Sequence, residues 1–165
     1  MTKNRYVKIV RFFSKNYAAN LLLRIIYMVL PLSMFIAYPC MLVIEFFILG
    51  ISKEWLKLLL IPLGTLLLVS LLRVIINAER PYERYGIPSV FRKETKGKSM
   101  PSRHTASAFV IALTFFYGNR IVGTVALVFA LLIELSRILA GAHFIRDVVV
   151  GALIGIAAGS LFWII

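Results

Sequence analysis

Residues 58–81, LLLIPLGTLLLVSLLRVIINAERP, begin with a largely apolar run and end in a short charged segment. At about 1.5 Å per residue, a helix over 58–76 is long enough to cross most of the roughly 30 Å hydrocarbon core of a bilayer. Arg73 falls within this run, where an unpaired charge is costly and often marks a functional site. The stretch therefore predicts a membrane-spanning helix that carries charge to the membrane surface.

The rest of the chain repeats this alternation of apolar spans and polar connections. Hydrophobic residues make up 61% of the 165 positions, against about 45–50% in a typical soluble domain. We therefore predict an all-α integral membrane protein, a single helical bundle over residues 1–165 with about six transmembrane helices. The predicted spans are 17–36, 38–51, 58–76, 104–118, 121–137 and 147–165.

The N-terminal part allows two interpretations. Pro31 and the YPC sequence at 38–40 interrupt residues 17–50, and one straight helix of that length would exceed the bilayer thickness. Two short spans joined by a tight turn are predicted, and one long kinked helix is the alternative. The basic segment 1–15 is followed by apolar sequence without a small-residue cleavage site, which indicates an anchor and not a cleaved signal.

The net charge of +12, from 19 basic and 7 acidic residues, would first suggest nucleic acid as a partner. The distribution favours a membrane instead, and no nucleic-acid motif is present. Residues 1–15 hold five basic residues and no acid, which suits an anionic leaflet. Residues 73–103 hold eight basic residues and three glutamates, which suits an anionic substrate at a membrane surface.

Six spans would place the polar segments 73–103 and 136–147 on one side of the membrane and the N-terminus on the other. With the basic N-terminus inside, as the positive-inside rule favours, that polar side faces outward from the cell membrane. Five spans with the same N-terminus would turn it inward.

Three polar clusters carry candidate chemistry, and the first is RVIINAERP at 73–81. Arg73 and Arg80 are seven positions apart, two helical turns, and so share one helix face. A solvated charge at the helix end for Arg80, and snorkelling of Arg73 to the interface, are the structural alternatives.

The second cluster is KSMPSRHTASA at 98–108. Pro101 and Ser102 are typical of a helix start, which offers free amide groups and a positive dipole end to a phosphate. His104 then lies in the first turn. Ser102 as a simple cap and His104 as an interfacial polar residue are the alternatives, and Arg103 is either a phosphate ligand or a surface charge.

The third cluster is SRILAGAHFIRD at 136–147. His143 and Asp147, at spacing four, share a helix face if this segment is helical, so the carboxylate could accept the Nδ1–H and leave Nε2 free to attack. Arg137 offers a planar guanidinium to a phosphate. An ion pair of Asp147 with Arg146 or Arg137 is the alternative.

Together the clusters hold both histidines and the only aspartate of the chain. Such a set is suited to phosphoryl transfer to a histidine, with arginines and amide groups stabilising the charge on the phosphate oxygens. No cluster has the carboxylates that Mg²⁺ prefers or the spacing of zinc ligands, so no metal or other cofactor is expected.

These residues carry a resemblance to a known family. R-x6-RP at 73–81, PSRH at 101–104 and SR-x5-H-x3-D at 136–147 resemble the three-part signature of the type 2 phosphatidic acid phosphatase / vanadium haloperoxidase superfamily. The signature covers about residues 55–160.

The resemblance implies a role for each position. His143 would be the nucleophile, Asp147 would orient it, and His104 would protonate the leaving group. The implied phosphate ligands are Arg73, Arg80, Ser102 and Arg137.

The chain departs from the family pattern at two positions. The first motif usually begins with Lys and here has Arg73, which keeps the charge but not the geometry. The third residue of the second motif is usually Gly and here is Arg103.

The short length and the sequences NAERPYE and GKSMPSRH resemble small bacterial membrane members. Their substrates are lipid phosphates or pyrophosphates, such as undecaprenyl pyrophosphate, phosphatidylglycerophosphate or phosphatidic acid. A non-catalytic lipid transporter or scaffold is the competing class, while a vanadate-dependent haloperoxidase ranks low because those enzymes are generally soluble. The sequence indicates neither the particular lipid nor the oligomeric state.

Other polar or small residues in the apolar spans have simpler interpretations. Glu134 is predicted to pair with Arg137, whereas Glu45 has no assigned partner. Cys40 is alone, so no disulfide within the chain is possible. A row of small residues at spacing four is expected to let two helices approach closely, namely Gly151, Gly155 and Gly159.

Overall fold

Seven α-helices and a terminal 3₁₀ turn make up the computed structural model, which describes all of residues 1–165. The two connections that matter for the site are 86–102 and 140–144, and the connections at the opposite end are only a few residues long. The helices are α1 (Lys3–Lys15), α2 (Tyr17–Leu49), α3 (Lys53–Ile76), α4 (Pro81–Tyr85), α5 (Arg103–Gly118), α6 (Arg120–Leu139) and α7 (Ile145–Ser160).

The helices that could cross a membrane are α2, α3 with its extension to Tyr85, α6, and α7 with the terminal turn. The fifth apolar helix, α5, has 16 residues, of which half are buried among its neighbours. Large apolar side chains of α2 and α3 are exposed, as expected of helices that face lipid and not water. The all-α membrane bundle is confirmed with six long helices, of which four are long and apolar enough to cross a membrane, where about six spans were predicted.

The predicted turn near residue 38 is wrong, because residues 17–49 form one helix that includes Pro31 and Pro39. At 1.5 Å per residue this helix is about 50 Å long, so it extends beyond the hydrocarbon core. In lipid the backbone finds few partners outside its own helix, which favours continuing the helix through a proline over opening a turn. The hydroxyl of Tyr38, in the middle of the predicted turn, donates to the carbonyl of Leu58 and fastens α2 to α3.

The first helix, α1, lies at the same end of the bundle as the long connection 86–102. The Tyr6 hydroxyl donates to the Ile87 carbonyl at 3.0 Å, and the Tyr85 hydroxyl donates to the Met1 carbonyl at 2.6 Å. Tyr6 is fully buried, whereas the five basic side chains of α1 are exposed. With one α2 helix in place of the hairpin, the N-terminus and the polar clusters lie at the same end of the bundle and not on opposite sides as predicted.

The core centres on α5, which packs against α3, α6 and α7. The predicted glycine row of α7 faces it: a Cβ on Gly151 would lie 2.7 Å from the Ser102 carbonyl oxygen, and one on Gly155 would lie 2.5 Å from the Ala106 carbonyl oxygen. A Cβ on Gly159 would collide with Leu113. The row therefore brings the two backbones close together, as expected of small residues in membrane helices.

The end of the bundle away from the long connection is closed by short turns. Residues 50–52 join α2 to α3, and Asn119 alone joins α5 to α6, where its side chain accepts from the amides of Ile121 and Val122. Tyr117 donates to Glu54 at 2.9 Å across this end. All longer irregular segments are thereby left at the other end, where the polar clusters meet.

Candidate active site

The three polar clusters converge at one end of the bundle and are joined by hydrogen bonds to backbone carbonyls. Arg73, from the last turns of α3, is buried and donates to the Pro101 carbonyl at 3.0 Å. The prediction that Arg80 shares a helix face with Arg73 is wrong, because α3 ends at Ile76 and Arg80 lies in the segment before α4. Arg80 is also buried, and its Nε and Nη1 donate to the carbonyls of Gly97 and Ala142 at 3.1 and 3.2 Å. The first cluster thus contacts both of the others.

The start of α5 offers amide groups, as the sequence predicts, but Ser102 does not cap the helix with its side chain. Its hydroxyl accepts from the Thr105 hydroxyl at 3.0 Å, and its amide donates to the Asp147 carbonyl at 2.8 Å. The amides of Arg103, His104 and Thr105 donate to no backbone carbonyl. Free amides at the positive end of a helix dipole are groups that can bind an anion.

His143 and Asp147 are brought together, but not by the direct hydrogen bond that their spacing predicts. His143 lies before α7, in the connection 140–144, and its Nδ1 is 3.8 Å from Asp147 Oδ2, too far for a hydrogen bond. The fully buried Ser99 lies between them: its hydroxyl is 2.5 Å from Asp147 Oδ2 and 3.3 Å from His143 Nδ1. Asp147 Oδ2 also accepts from the Phe144 amide at 3.0 Å.

The alternative ion pair of Asp147 is present only in a weak form. Arg146 Nε lies 3.5 Å from Asp147 Oδ1, and the Arg146 side chain is mostly exposed. Arg137 makes no ion pair with Asp147, so the carboxylate is held chiefly by Ser99 and the Phe144 amide.

The surroundings of His143 keep its imidazole neutral. Burial lowers the pKa of His143 to about 4, the charges of Arg80 and Arg73 act in the same direction, and Asp147 acts in the opposite one. At neutral pH the ring therefore carries one proton, on one of its two nitrogens. A ring protonated at Nδ1 would have a free electron pair on Nε2 for attack.

Arg137 has a different partner from the one predicted. No ion pair joins it to Glu134; its Nη2 donates to the Tyr27 carbonyl at 3.1 Å, and its guanidinium lies over the Tyr27 ring, 3.8 Å from the centroid. Arg137 Nε is buried without a hydrogen-bond partner, as is the Tyr27 hydroxyl. Sequence reasoning missed Tyr27 because α2 carries no part of the signature.

His104 and Arg103 lie at one end of a groove between α2, α3 and α5, with a volume of about 600 Å³. Both residues are exposed. The rest of the groove is mostly apolar, with linings such as Met34, Leu63 and Ile111. No group of three or more His, Cys, Asp or Glu side chains is arranged to hold a metal ion.

The fold and site define a membrane-embedded helical protein whose three polar clusters, with their histidines and arginines, meet at one end of the bundle. A family model, the PAP2 superfamily, matches residues 54–165, and the chain belongs to this family. The match begins after α2, so α1 and α2 lie outside the part of the chain that the family model covers.

Individual proteins are similar over shorter or weaker matches. Undecaprenyl-diphosphatase BcrC of Bacillus subtilis is 37% identical over 65 residues, which are 39% of this chain and 34% of that protein. Lipid A 1-phosphatase of Porphyromonas gingivalis is 33% identical over 123 residues, 70% of this chain and 25% of that protein. The matches therefore span about a third or less of these relatives' own lengths.

The crystal structure of Aquifex aeolicus LpxE has a similar fold, with a TM-score of 0.73 and 27% sequence identity. The similarity covers 97% of this chain and 95% of that one. It therefore includes α1 and α2, which the family model leaves out.

Proposed function

We propose that this protein is a membrane lipid phosphatase or diphosphatase that works through a phosphohistidine without a metal ion. The observation that carries the proposal is that Arg103 and His104, whose backbone amides are free at the start of α5, also line the apolar groove. A phosphate headgroup would lie against the start of α5, and the lipid chain would extend along α2 and α3.

The proposed reaction has two steps. His143 Nε2 attacks the phosphorus, the bond from phosphorus to the lipid oxygen breaks, and His104 gives that oxygen a proton. Water then attacks the phosphohistidine while His104 takes a proton from it, which releases phosphate and restores the free imidazole. Asp147 orients His143 throughout.

Negative charge on the phosphate is proposed to be stabilised by residues other than the two histidines and Asp147. Arg73, Arg80 and Arg137, the α5 amides and the Ser102 hydroxyl would bind the phosphate oxygens as negative charge redistributes in the transition state. Arg137 Nε is buried without a partner and the Ser102 hydroxyl only accepts, so both have a proton left to donate to a ligand.

The proposed substrates are isoprenoid or glycerolipid phosphates and pyrophosphates: undecaprenyl pyrophosphate, phosphatidylglycerophosphate and phosphatidic acid. The names of the similar proteins, an undecaprenyl-diphosphatase and a lipid A 1-phosphatase, support a lipid whose phosphate lies at the membrane surface. The exposed basic side chains of the connection 86–102, among them Arg92, Lys96 and Lys98, would attract such anionic headgroups.

The proposed location is the cell membrane, and an outward-facing site stays a prediction. In the structure α1 shares the side of the site, so an outward-facing site places the five basic residues of α1 outside as well. The positive-inside rule opposes that arrangement, so the side has to be measured directly.

The experiment that tests the function is phosphate release by the purified protein in detergent with EDTA. The panel is the three lipids named above, each with wild type and the His143→Ala variant. Release that survives EDTA and disappears in the variant supports the metal-independent histidine mechanism. No release from any lipid by a folded protein would favour the non-catalytic transporter or scaffold.

A further inference from the structure

Ser99 is the one hydroxyl in contact with both His143 and Asp147. Its side chain has no exposed surface, and its oxygen lies 2.5 Å from Asp147 Oδ2 and 3.3 Å from His143 Nδ1. Ser99 belongs to the second polar cluster but lies two positions before its PSRH signature begins at Pro101, and no role was predicted for it from the sequence. The role of Ser99 inferred below goes beyond the proposed function. Only its predicted effect on the reaction rate rests on that function.

The direction of the hydrogen bonds follows from the number of protons available. An ionised Asp147 can only accept, so the single Ser99 proton points at Oδ2. The Ser99 oxygen can then only accept from the imidazole, which requires the proton of the neutral ring to be on Nδ1. We propose that Ser99 is a positioning residue: a chain from His143 Nδ1–H through the Ser99 hydroxyl to Asp147 fixes the tautomer that leaves Nε2 free.

The alternative, a direct bond from the ring to the carboxylate, is excluded by distance in this structure, since Nδ1 and Oδ2 are 3.8 Å apart. Asp147 Oδ2 is already occupied by the Ser99 hydroxyl and the Phe144 amide. The carboxylate therefore acts on the imidazole through the serine, and Asp147 and Ser99 work as one unit.

The backbone around Ser99 is held firmly enough to place a hydroxyl accurately. The Ser99 amide donates to the Ala78 carbonyl at 2.9 Å, and the Lys98 amide donates to Asn77 Oδ1 at 3.2 Å. Glu83 Oε2 accepts from the Gly97 amide at 2.9 Å. Residues 97–99 are thus fastened to the segment that follows α3, and the side chain needs no neighbouring lipid or ligand to reach the histidine.

The first experiment reads the tautomer directly, by ¹⁵N NMR of the full chain labelled at histidine, in detergent. The chain has only two histidines, so a His104→Asn variant assigns the His143 signals. At neutral pH we expect His143 to show a protonated Nδ1 and an unprotonated Nε2. A wild-type His143 protonated on Nε2 would overturn the proposal without any variant and whether or not the protein is active.

The matched variants are Ser99→Ala and Ser89→Ala. Ser89 is also a buried serine of the connection 86–102, but its hydroxyl accepts from the Lys93 amide and does not contact the histidine. We expect Ser99→Ala to give a mixture of tautomers and Ser89→Ala to leave the Nδ1 proton in place. An unchanged tautomer in a folded Ser99→Ala variant would also overturn the proposal.

Kinetics test the consequence for catalysis on whichever lipid proves to be a substrate. Loss of a hydrogen bond linked to a charged group corresponds to a fall in kcat of about ten- to a hundredfold. We expect KM to be nearly unchanged, because Ser99 contacts Nδ1 of the ring and not the attacking Nε2. A fall in both kcat and thermal stability equal to that of Ser89→Ala would show a structural role only. If wild type releases no phosphate at all, the proposed function fails, while the NMR result still decides the role of Ser99.

Discussion

At the scale of single residues, the burial of His143 makes a prediction about pH. Because burial lowers the pKa of His143 to about 4, the imidazole stays neutral and able to attack at pH values well below the ordinary histidine pKa of about 6.5. Protonation on the way to lower pH removes the nucleophile, so kcat/KM should fall with an enzyme pKa near 4. The measurement is kcat/KM against pH in detergent.

Two substrates are needed for that measurement, a phosphate monoester and a diphosphate, because their own ionisations differ. An acidic limb shared by both belongs to the enzyme. A shared limb close to pH 6.5 would contradict the inferred environment of His143.

Arg80 gives a second prediction at this scale, because its guanidinium stabilises the fold in addition to its proposed role in binding phosphate. Its Nε and Nη1 satisfy the carbonyls of Gly97 and Ala142, in two different connections. We expect Arg80→Ala to lower the free energy of unfolding by on the order of 3 kcal/mol, because buried acceptors lose their donors. Arg80→Lys should recover part of this, since an ammonium can reach one carbonyl but not both.

Thermal unfolding in detergent, followed alongside phosphate release, separates the two roles. If Arg80→Ala abolished activity and left the unfolding temperature unchanged, Arg80 would be a phosphate ligand alone. Arg73→Lys is the matched comparison, because it restores the residue that the family motif usually has at a position with a single carbonyl partner.

The sequence was enough to select the seven candidate site residues, because charged and imidazole side chains are rare in so apolar a chain and fall in three short clusters with the spacings of the family signature. The helix geometry inferred from those spacings was not reliable, since His143 lies before α7 and Arg80 lies after α3. The structure brings their segments together, while the roles of the seven stay predictions. Ser99 and Tyr27 could not be found in this way. Ser99 meets its partners through a loop, and Tyr27 meets Arg137 across 110 positions of the chain, so no local periodicity marks either contact.

At the scale of elements, the glycine row of α7 sets its distance from α5. A Cβ on Gly155 would lie 2.5 Å from the Ala106 carbonyl oxygen and 2.9 Å from Phe109 Cβ, and backbone atoms cannot easily yield. We expect Gly155→Ala to cost about 1–3 kcal/mol in the free energy of unfolding, the usual range for an overpacked contact.

Gly64→Ala in α3 is the control for that substitution. Nothing lies within 4 Å of its added Cβ, and a helix interior prefers Ala to Gly by about 1 kcal/mol, so this variant should be neutral or slightly more stable. The measurement is the free energy of unfolding of both variants in detergent. If the two variants lost equal stability, or neither lost any, the glycine row would not set the distance between α7 and α5.

The glycine contacts were predictable as a class, whereas the course of α2 was not. Proline and the YPC sequence are typical of a turn in water, where the backbone can bond to solvent. Within a bilayer that alternative is missing, and Pro39 continues a helix whose neighbour Tyr38 is bonded to α3. Local residue preferences alone do not include the absence of water as a hydrogen-bond partner for the backbone.

At the scale of the whole molecule, the number of spans fixes which ends share a side. The structure predicts that single cysteines at Lys3 and Lys96 react with a membrane-impermeant thiol reagent from the same side. A cysteine at Arg120, exposed at the other end of the bundle, should react from the opposite side. The background is Cys40→Ser, since Cys40 is the only native cysteine.

Labelling of the Lys96 position in intact cells would establish an outward-facing site, and labelling only after the membrane is opened would establish an inward-facing one. If the positions at Lys3 and Lys96 reacted from opposite sides, α2 would have to cross the membrane twice, as the hairpin prediction supposed.

The short turn at residues 50–52 has a practical consequence for anyone handling this protein. It lies at the end of the bundle away from every candidate catalytic group, between two helices whose pairing is already secured by Tyr38. A fluorescent reporter or a rigid crystallisation chaperone inserted there would lie on the side of the bilayer opposite the candidate site. Activity could then be measured in a tagged protein whose candidate site is unaltered.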